Sequence, residues 1–389
     1  MDAYERLLLP ENLYYSWLKV RRALRSADGY LDNAEAADFE LNLEAQLSSI
    51  RNDFAEVKYK LAALRPLPRP KKQKGEAYID RQYFHVSVRD QVAWIALVNA
   101  IGPDLDAGMP TWSYGNRLYR PAWYSESETR KSKLEIGPYR HASGHIYKKF
   151  QHSWPLFRRH VVLSAKTMAK GKSLNPTELD EADQLALQSG EAEGNKLKYL
   201  EGSFWRKPPS DGKPTSTLHC ASIDLKQFYP KISTSLIREN IISSMPDLSS
   251  DTSPLSEILG GMFDFRLDRS GFKLRDLNAN CEPKYVLKDG VRGLPTGLFA
   301  AGFLAGEDSV AKGVFDAIKV DINDVAGFRL LVFHREFFDR DAAFGLQTDV
   351  NNGQVLFDRH DPTFDDGAFS GIVVDKGVEQ HRFKIFFRH

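Results

Sequence analysis

Asp224 closes a short apolar stretch, residues 220–223, and precedes the aromatic pair Phe228–Tyr229 by four and five residues, with Pro230 next. A carboxylate at the end of a buried strand can face a cleft and hold a divalent ion. Magnesium prefers such oxygen donors and is commonly bound together with phosphates. The same aspartate would serve equally well as the cap of the turn after a strand. The second chemical feature is Gly293-Leu294-Pro295-Thr296-Gly297, followed by the small-residue run LFAAGFLA. Glycines permit close backbone approach and unusual dihedrals, and Pro295 stiffens the bend. Read alone, this is a glycine-proline turn leading into a helix.

The elements that must position these residues are legible from periodicity. Residues 11–62 read as helix, with apolar positions at Leu18, Val20 and Leu24, and again at Leu41, Leu43, Leu47, Ile50 and Phe54. Residues 65–78, RPLPRPKKQKGEAY, read as a linker or an exposed basic arm. Residues 80–105 begin with strand-like alternation and run into an apolar helix expected to end near Gly102-Pro103. An aromatic and basic stretch follows at 109–124, and a basic cluster at 140–170. Residues 217–233 read as a strand ending at Asp224 and then a turn. The segments FRLLVF and GIVV read as strands of a tail that begins after Ala305.

Composition bounds the function. Hydrophobic residues make up 42% and charged residues 27% of 389, an ordinary globular balance. No apolar run approaches the roughly 20 residues of a membrane helix, and the N-terminus has no signal-peptide layout. The two cysteines, Cys220 and Cys281, cannot build a disulfide framework and fit a reducing cytoplasm. The net charge is +1, but residues 306–389 hold 15 acidic and 10 basic side chains, so the body is mildly basic and the tail acidic. The His141/His145 pair in HASGH has helical metal-ligand spacing, yet Ser143-Gly144 weaken a helix and no third ligand is evident, His85 included. No phosphate-loop glycine motif is present.

Taken in order, D-x-x-x-F-Y-P-x-I at 224–232 and, about 60 residues later, G-L-P-T-G-x-x-x-x-x-x-L-A at 293–305 resemble motifs A and B of reverse transcriptases. The stretch RQYFHVSVRDQVAWIALVNAIGP and the turn SYGNRL at 113–118 are similar to finger motifs of retron, group II intron and abortive-infection enzymes. The resemblance covers about 80–305. It implies an α+β right-hand polymerase with an antiparallel palm sheet. The expected divisions are an N-terminal helical region (1–64), a basic linker (65–79), fingers and palm (80–305) and an atypical C-terminal segment (306–389).

The resemblance also implies roles. Asp224, with the Leu225 carbonyl, would hold Mg2+ or Mn2+. Tyr229 beside Phe228 would be the steric gate against the 2′-OH, and Gly293, Pro295 and Gly297 would pack against template and incoming base. Arg117 would touch the triphosphate or form a structural salt bridge; both readings stand. Trp112, Tyr114, Trp123 and Tyr124 would stack on template or pack within the fingers. The implied partners are an RNA template, a DNA or protein primer and dNTPs, in a cytoplasmic, antiphage-defence setting.

The family's next motif, Y-x-D-D, should follow about 30 residues beyond motif B. Here Phe328-Arg329 match its lead-in, but Leu330, Leu331, Val332 and Phe333 follow, with no carboxylate. Three accounts remain. The chain is catalytically silent; the second carboxylate comes from Asp365-Asp366 or from Asp339 and Asp341; or the reading frame changes near 305–306.

Overall fold

The computed structural model describes residues 2–26, 32–71, 79–109, 115–120, 122–125, 133–136, 139–148, 150–172, 212–214, 219–223, 228–245, 253–281, 284–285, 291, 293–306, 330–334, 343–345, 347–349, 354–356 and 386–388. They form a mixed α+β architecture: helices around one apolar core, with small two-stranded ladders.

The N-terminal region is helical as its periodicity requires, but the last helix ends at Ala55 and residues 56–62, expected to continue it, are turn and irregular chain. Helix α1 (Ala3–Leu7) starts on a capping box, in which Asp2 accepts from the Glu5 amide and Glu5 from the Asp2 amide. Helix α2 (Pro10–Ser26) buries Leu13, Ser16, Trp17 and Val20, the i, i+3, i+4, i+7 stripe of an amphipathic helix. Helices α3 (Asn33–Leu41) and α4 (Leu43–Ala55) follow, and Ile50 and Phe54 are buried. Leu41 does not join them. It ends α3 at 85% exposure, because the chain breaks helical register at Asn42 before α4 begins.

Helix α5 (Val88–Gly108) is the centre of the molecule. Ser87 caps it by accepting from the Asp90 amide. Residues 92–98 are all buried, as expected for a helix apolar on every side and packed by others. Helices α1, α2, α3 and α4 all lie against it.

The helix runs past Gly102-Pro103, where its residue pattern puts the end. Proline removes one intrahelical bond, but the last turn is held from outside. The buried Asp106 accepts from the Leu118 amide at 3.0 Å, and Leu105 and Met109 join the core. Gly102 lets Leu118 approach: a Cβ there would meet Leu118 Cδ1 at 2.7 Å.

The basic segment read as a connector is paired at both ends. Strand β1 (Arg65–Pro66) pairs antiparallel with β4 (Phe84–His85), and β2 (Arg69–Lys71) with β3 (Ile79–Arg81). Strands β5 (Ala122–Ser125) and β6 (Lys133–Ile136) form a third antiparallel pair before helix α6 (Phe150–Lys170).

Strand β7 (His219–Ile223), expected from the run before Asp224, is present. Helices α7 (Phe228–Lys231), α8 (Thr234–Ser244), α9 (Pro254–Met262), α10 (Leu274–Leu277) and α11 (Ala301–Gly306) come next. Strand β8 (Leu330–His334), which overlaps the expected FRLLVF strand at 330–333 and ends one residue beyond it, then pairs with β7 in parallel, Ile223 opposite His334. An antiparallel sheet was expected around Asp224. The long stretch carrying α7 to α11 supplies the crossover that a parallel pairing needs. Four tail strands form two further antiparallel pairs: β9 (Ala343–Gly345) with β12 (Phe386–Arg388), and β10 (Gln347–Asp349) with β11 (Gln354–Leu356). The expected GIVV strand lies outside the described residues.

One core cluster links Ala3 in α1, the α5 face, Leu259 in α9 and Phe303 in α11. Among the described residues no helix is long and apolar enough to cross a membrane.

Candidate active-site region around the 293–299 bend

The bend at Gly293 rests on the backbone that follows Asp224. Gly293 has φ +66°, and a Cβ on it would lie 2.1 Å from the Tyr229 carbonyl oxygen and 2.7 Å from the Pro230 carbonyl carbon. The Leu294 amide donates to that same Tyr229 carbonyl at 2.9 Å. Only a residue without a side chain can bring the two backbones this close. Phe228 and Tyr229 are both half-buried, their rings 5.6 Å apart, and the turn closes through the Ile232 amide donating to the Phe228 carbonyl at 3.1 Å.

The other end of the bend is clamped by β4 and α5. Gly297, at φ +122°, approaches Phe84: its Cβ would meet the Phe84 carbonyl oxygen at 2.2 Å, and the Phe84 amide donates to the Thr296 carbonyl at 2.8 Å. Buried Gln91, on α5, holds the bend by both ends of its amide. Its Nε2 donates to the Gly297 carbonyl at 2.8 Å, and its Oε1 accepts from the Phe299 amide at 2.9 Å. Tyr147 adds a third clamp, donating its phenol to the Phe299 carbonyl and accepting from the Phe303 amide at 3.2 Å. Burial raises the Tyr147 phenol, so it stays a neutral donor across the physiological range. Gly302 completes the joint: a Cβ there would meet the Asn116 side chain at 2.7 Å. Asn116 itself sits at φ +48°, a conformation asparagine tolerates better than most residues.

Arg117, the next residue of that turn, stands in a buried ion pair. It is 1% exposed, its Nε 3.3 Å from Asp106 Oδ1, and Arg120 Nε is 3.7 Å from Asp106 Oδ2. Arg117 thus makes a structural salt bridge, one of its two expected roles. Lys148 belongs to the same cluster. Its amide donates to the Arg117 carbonyl at 2.8 Å, and burial, with Arg117 adding, brings its amine down to about 8 against the opposing pull of Asp106. Three cations thus surround one carboxylate in the interior.

The histidines of HASGH lie in a turn, not a helix. His145 lies tilted against Tyr119 with ring centroids 4.8 Å apart, and His141 meets Tyr139 edge-on at 4.9 Å, so both pack on aromatic rings. His85 lies 2.7 Å from Glu35, whose other oxygen accepts from the Val88 amide at 2.7 Å, tying α3 to the start of α5. Burial favours a higher Glu35 pKa, but the bonds from His85 and Val88, with Arg65 near, outweigh it and hold the carboxyl below its ordinary value.

Asp224 is the first residue after β7. It lies outside the described residues, as do Leu225, Trp112, Tyr114, Asp339, Asp341, Asp365 and Asp366, and only the backbone is described at Trp123 and Tyr124. Among the described residues no group of three or more His, Cys, Asp or Glu is arranged to hold a metal. The oxygen donors that the sequence puts at the end of β7, one carboxylate and one carbonyl, suit a hard cation such as Mg2+ but make an incomplete set.

Scans against protein-family models and curated proteins find no match to this chain.

Residue order alone marks the glycines but not the groups that hold them. Gln91 lies inside the D-Q-V stretch, and its signal is a polar side chain within an otherwise apolar helix: a buried amide must find partners. Tyr147 and Asn116 carry no comparable local signal.

Proposed function

We propose that this chain is a reverse-transcriptase-like nucleotidyltransferase that extends a primer with dNTPs on an RNA template. The observation that carries the reading is the meeting of Gly293 and Leu294 with Tyr229 and Pro230. The two segments resembling motifs A and B, far apart in sequence, share a backbone hydrogen bond and a glycine-only approach. A common nucleotide site needs that proximity. The finger-like segments support it as well, since Phe84, Gln91 and Asn116 all grip the second motif.

In this reading Asp224 and the Leu225 carbonyl hold Mg2+, which when bound lowers the pKa of the primer 3′-OH and neutralises the departing pyrophosphate. The protein's own part is positioning and charge placement, which dominate phosphoryl transfer. Tyr229, its carbonyl pinned by Leu294, sets its ring where a 2′-OH would clash and so favours deoxynucleotides. The Gly293–Gly297 bend, tied at both ends, would pack against the incoming base. Antiphage defence is the biological setting the resemblance suggests.

A second reading, a nucleic-acid-binding protein without synthesis, is favoured by one observation: the strand Leu330–His334, at the place of the Y-x-D-D motif, contains no carboxylate. Primer extension with labelled dNTPs, Mg2+ and an RNA template separates the two. Extension that Asp224→Ala abolishes supports the first. Extension unchanged by Asp224→Ala removes the proposed site, and no extension with template binding intact leaves the second.

A further inference from the structure

Residues 139–148 run as a strap from α2 and α5 to the 293–299 bend. At one end the Lys19 amine lies over the Tyr139 ring, 4.9 Å from its centroid. It donates to the Tyr139 hydroxyl at 2.8 Å and to Asn99 Oδ1 at 2.5 Å, and the Tyr139 hydroxyl donates to that same oxygen at 2.6 Å. At the other end Tyr147 holds the Phe299 carbonyl and the Phe303 amide. Between the two, the Ile146 carbonyl accepts from the Tyr119 amide at 2.9 Å, and Gly144 passes beside the Arg22 side chain.

Lys19 is 2% exposed. It meets two acceptors among the described residues, Tyr139 and Asn99, which match the two N–H groups of a neutral amine. An ammonium brings a third N–H and a full charge into the same space, and a buried charge is costly without a counter-ion. Burial, with no carboxylate offsetting it, brings the Lys19 amine from 10.5 to about 7. The charged groups of the surrounding elements are engaged elsewhere or carry the same sign. On α1, Arg6 pairs with Asp104 of α5. On α3 and α4, Glu40 pairs with Arg21, Asp53 with Arg89, and Arg51 donates to the Leu8 carbonyl. Asp106 of α5 faces Arg117 and Arg120. In the strap itself His141 is lowered by burial and then by Lys19 and Arg6, Arg140 is exposed, and Lys148 is a second buried amine, brought down to about 8 mainly by burial.

We infer that residues 139–148 are a proton-responsive strap: a neutral Lys19 holds Tyr139 closed against α2 and α5, and a proton taken up there loosens the strap and, through Tyr147, the hold on the 293–299 bend. Opening the strap gives the ammonium access to water, so the open form binds the proton more tightly than the closed form. The strap is therefore tightest above 10.5, loosens as the pH falls towards about 7, and changes little below that. It acts in this way whatever chemistry the bend serves.

Hydrogen exchange of the full chain from pH 7 to 9, normalised to the rates of the unfolded chain, tests this. The bonded amides of Ser143, His145 and Lys148 are the reporters within the strap. The 139–148 peptide should exchange faster than helix α9, as a local opening does. Its opening should increase about tenfold from pH 9 to pH 8, and less from 8 to 7, with a peptide spanning 297–303 following it. Lys19→Met has no proton to take up and flattens that response, whereas His141→Gln keeps it. Thermal melts establish that each variant folds; if Lys19→Met does not, Lys19→Gln takes its place. A response unchanged in the Lys19 variant, whether set by His141 or by Lys148, overturns the inference. So does a 139–148 peptide that exchanges no faster than α9, since the strap would then open only with the whole molecule, and so does a 297–303 peptide that does not follow.

Discussion

The Leu294 amide donates to the Tyr229 carbonyl at 2.9 Å, and the glycine before it stands where any side chain would overlap that same oxygen. This junction brings two distant segments into backbone contact. It turns a sequence resemblance into a spatial claim that substitutions can test.

Gly293→Ala carries two penalties, a positive φ and a collision with the backbone at 2.1 Å. Gly271 supplies the matched control: its φ is +76°, and a Cβ there meets nothing within 4 Å. Gly271→Ala should cost about 1 kcal/mol, the conformational part alone. Gly293→Ala should cost about 2–4 kcal/mol, since the backbone must also move. Denaturant unfolding of the two variants measures the difference, and equal losses would mean that the close approach is not made in solution.

Gln91→Leu removes both ends of the clamp on residues 297–299 at nearly constant volume. It leaves the Gly297 carbonyl and the Phe299 amide without their side-chain partner. Each such group costs about 1–3 kcal/mol when buried. The expected result is a loss of about 2–4 kcal/mol with faster hydrogen exchange in a peptide spanning 297–303. Exchange equal to wild type would show that Gln91 does not hold the bend.

Asp106→Asn should be among the most damaging single changes, by about 3–5 kcal/mol, because it leaves buried Arg117 and Arg120 without their carboxylate. Arg117→Met with Asp106→Leu, which removes the closest charge pair together, should recover a good part of that loss. A double-mutant cycle read by urea midpoints decides it. A pair no better than the single variant would show that the cluster's other cations, Arg120 and Lys148, set the cost.

Lys19 links stability to pH. Its amine is buried between Asn99 Oδ1 at 2.5 Å and the Tyr139 hydroxyl at 2.8 Å, with His141 near. Burial lowers its pKa from the ordinary 10.5 to about 7. Between those two values the unfolded chain binds the proton and the folded chain does not, so this group makes stability rise with pH across that window. Below about 7 both states are protonated and the penalty is constant. Lys19→Met should therefore gain most over wild type at neutral pH and progressively less as the pH approaches 10.5. A stability difference that stays flat over that range would show that Lys19 is not desolvated.

Local pattern was enough for the parts of this protein whose cause is local. The helix α2, the all-apolar run of α5, the strand before Asp224 and the bend at 293–297 are all present where residue order alone puts them, although the buried stripe of α2 falls on Leu13, Ser16, Trp17 and Val20, with the expected Leu18 and Leu24 only half-buried. Each follows from the helical or strand period, or from the freedom of glycine, over a handful of neighbours. Tertiary structure decided the rest. Pro103 stays inside a helix because Asp106 is anchored by residues beyond the helix end. Arg117 is buried because that same aspartate waits for it. Gln91 holds a bend some 200 residues away in the chain. Gly293 must be glycine because of an oxygen on Tyr229 that no short-range period can announce. A residue's periodicity reports which side it faces, whereas its partner across the core is set only when the whole chain has packed.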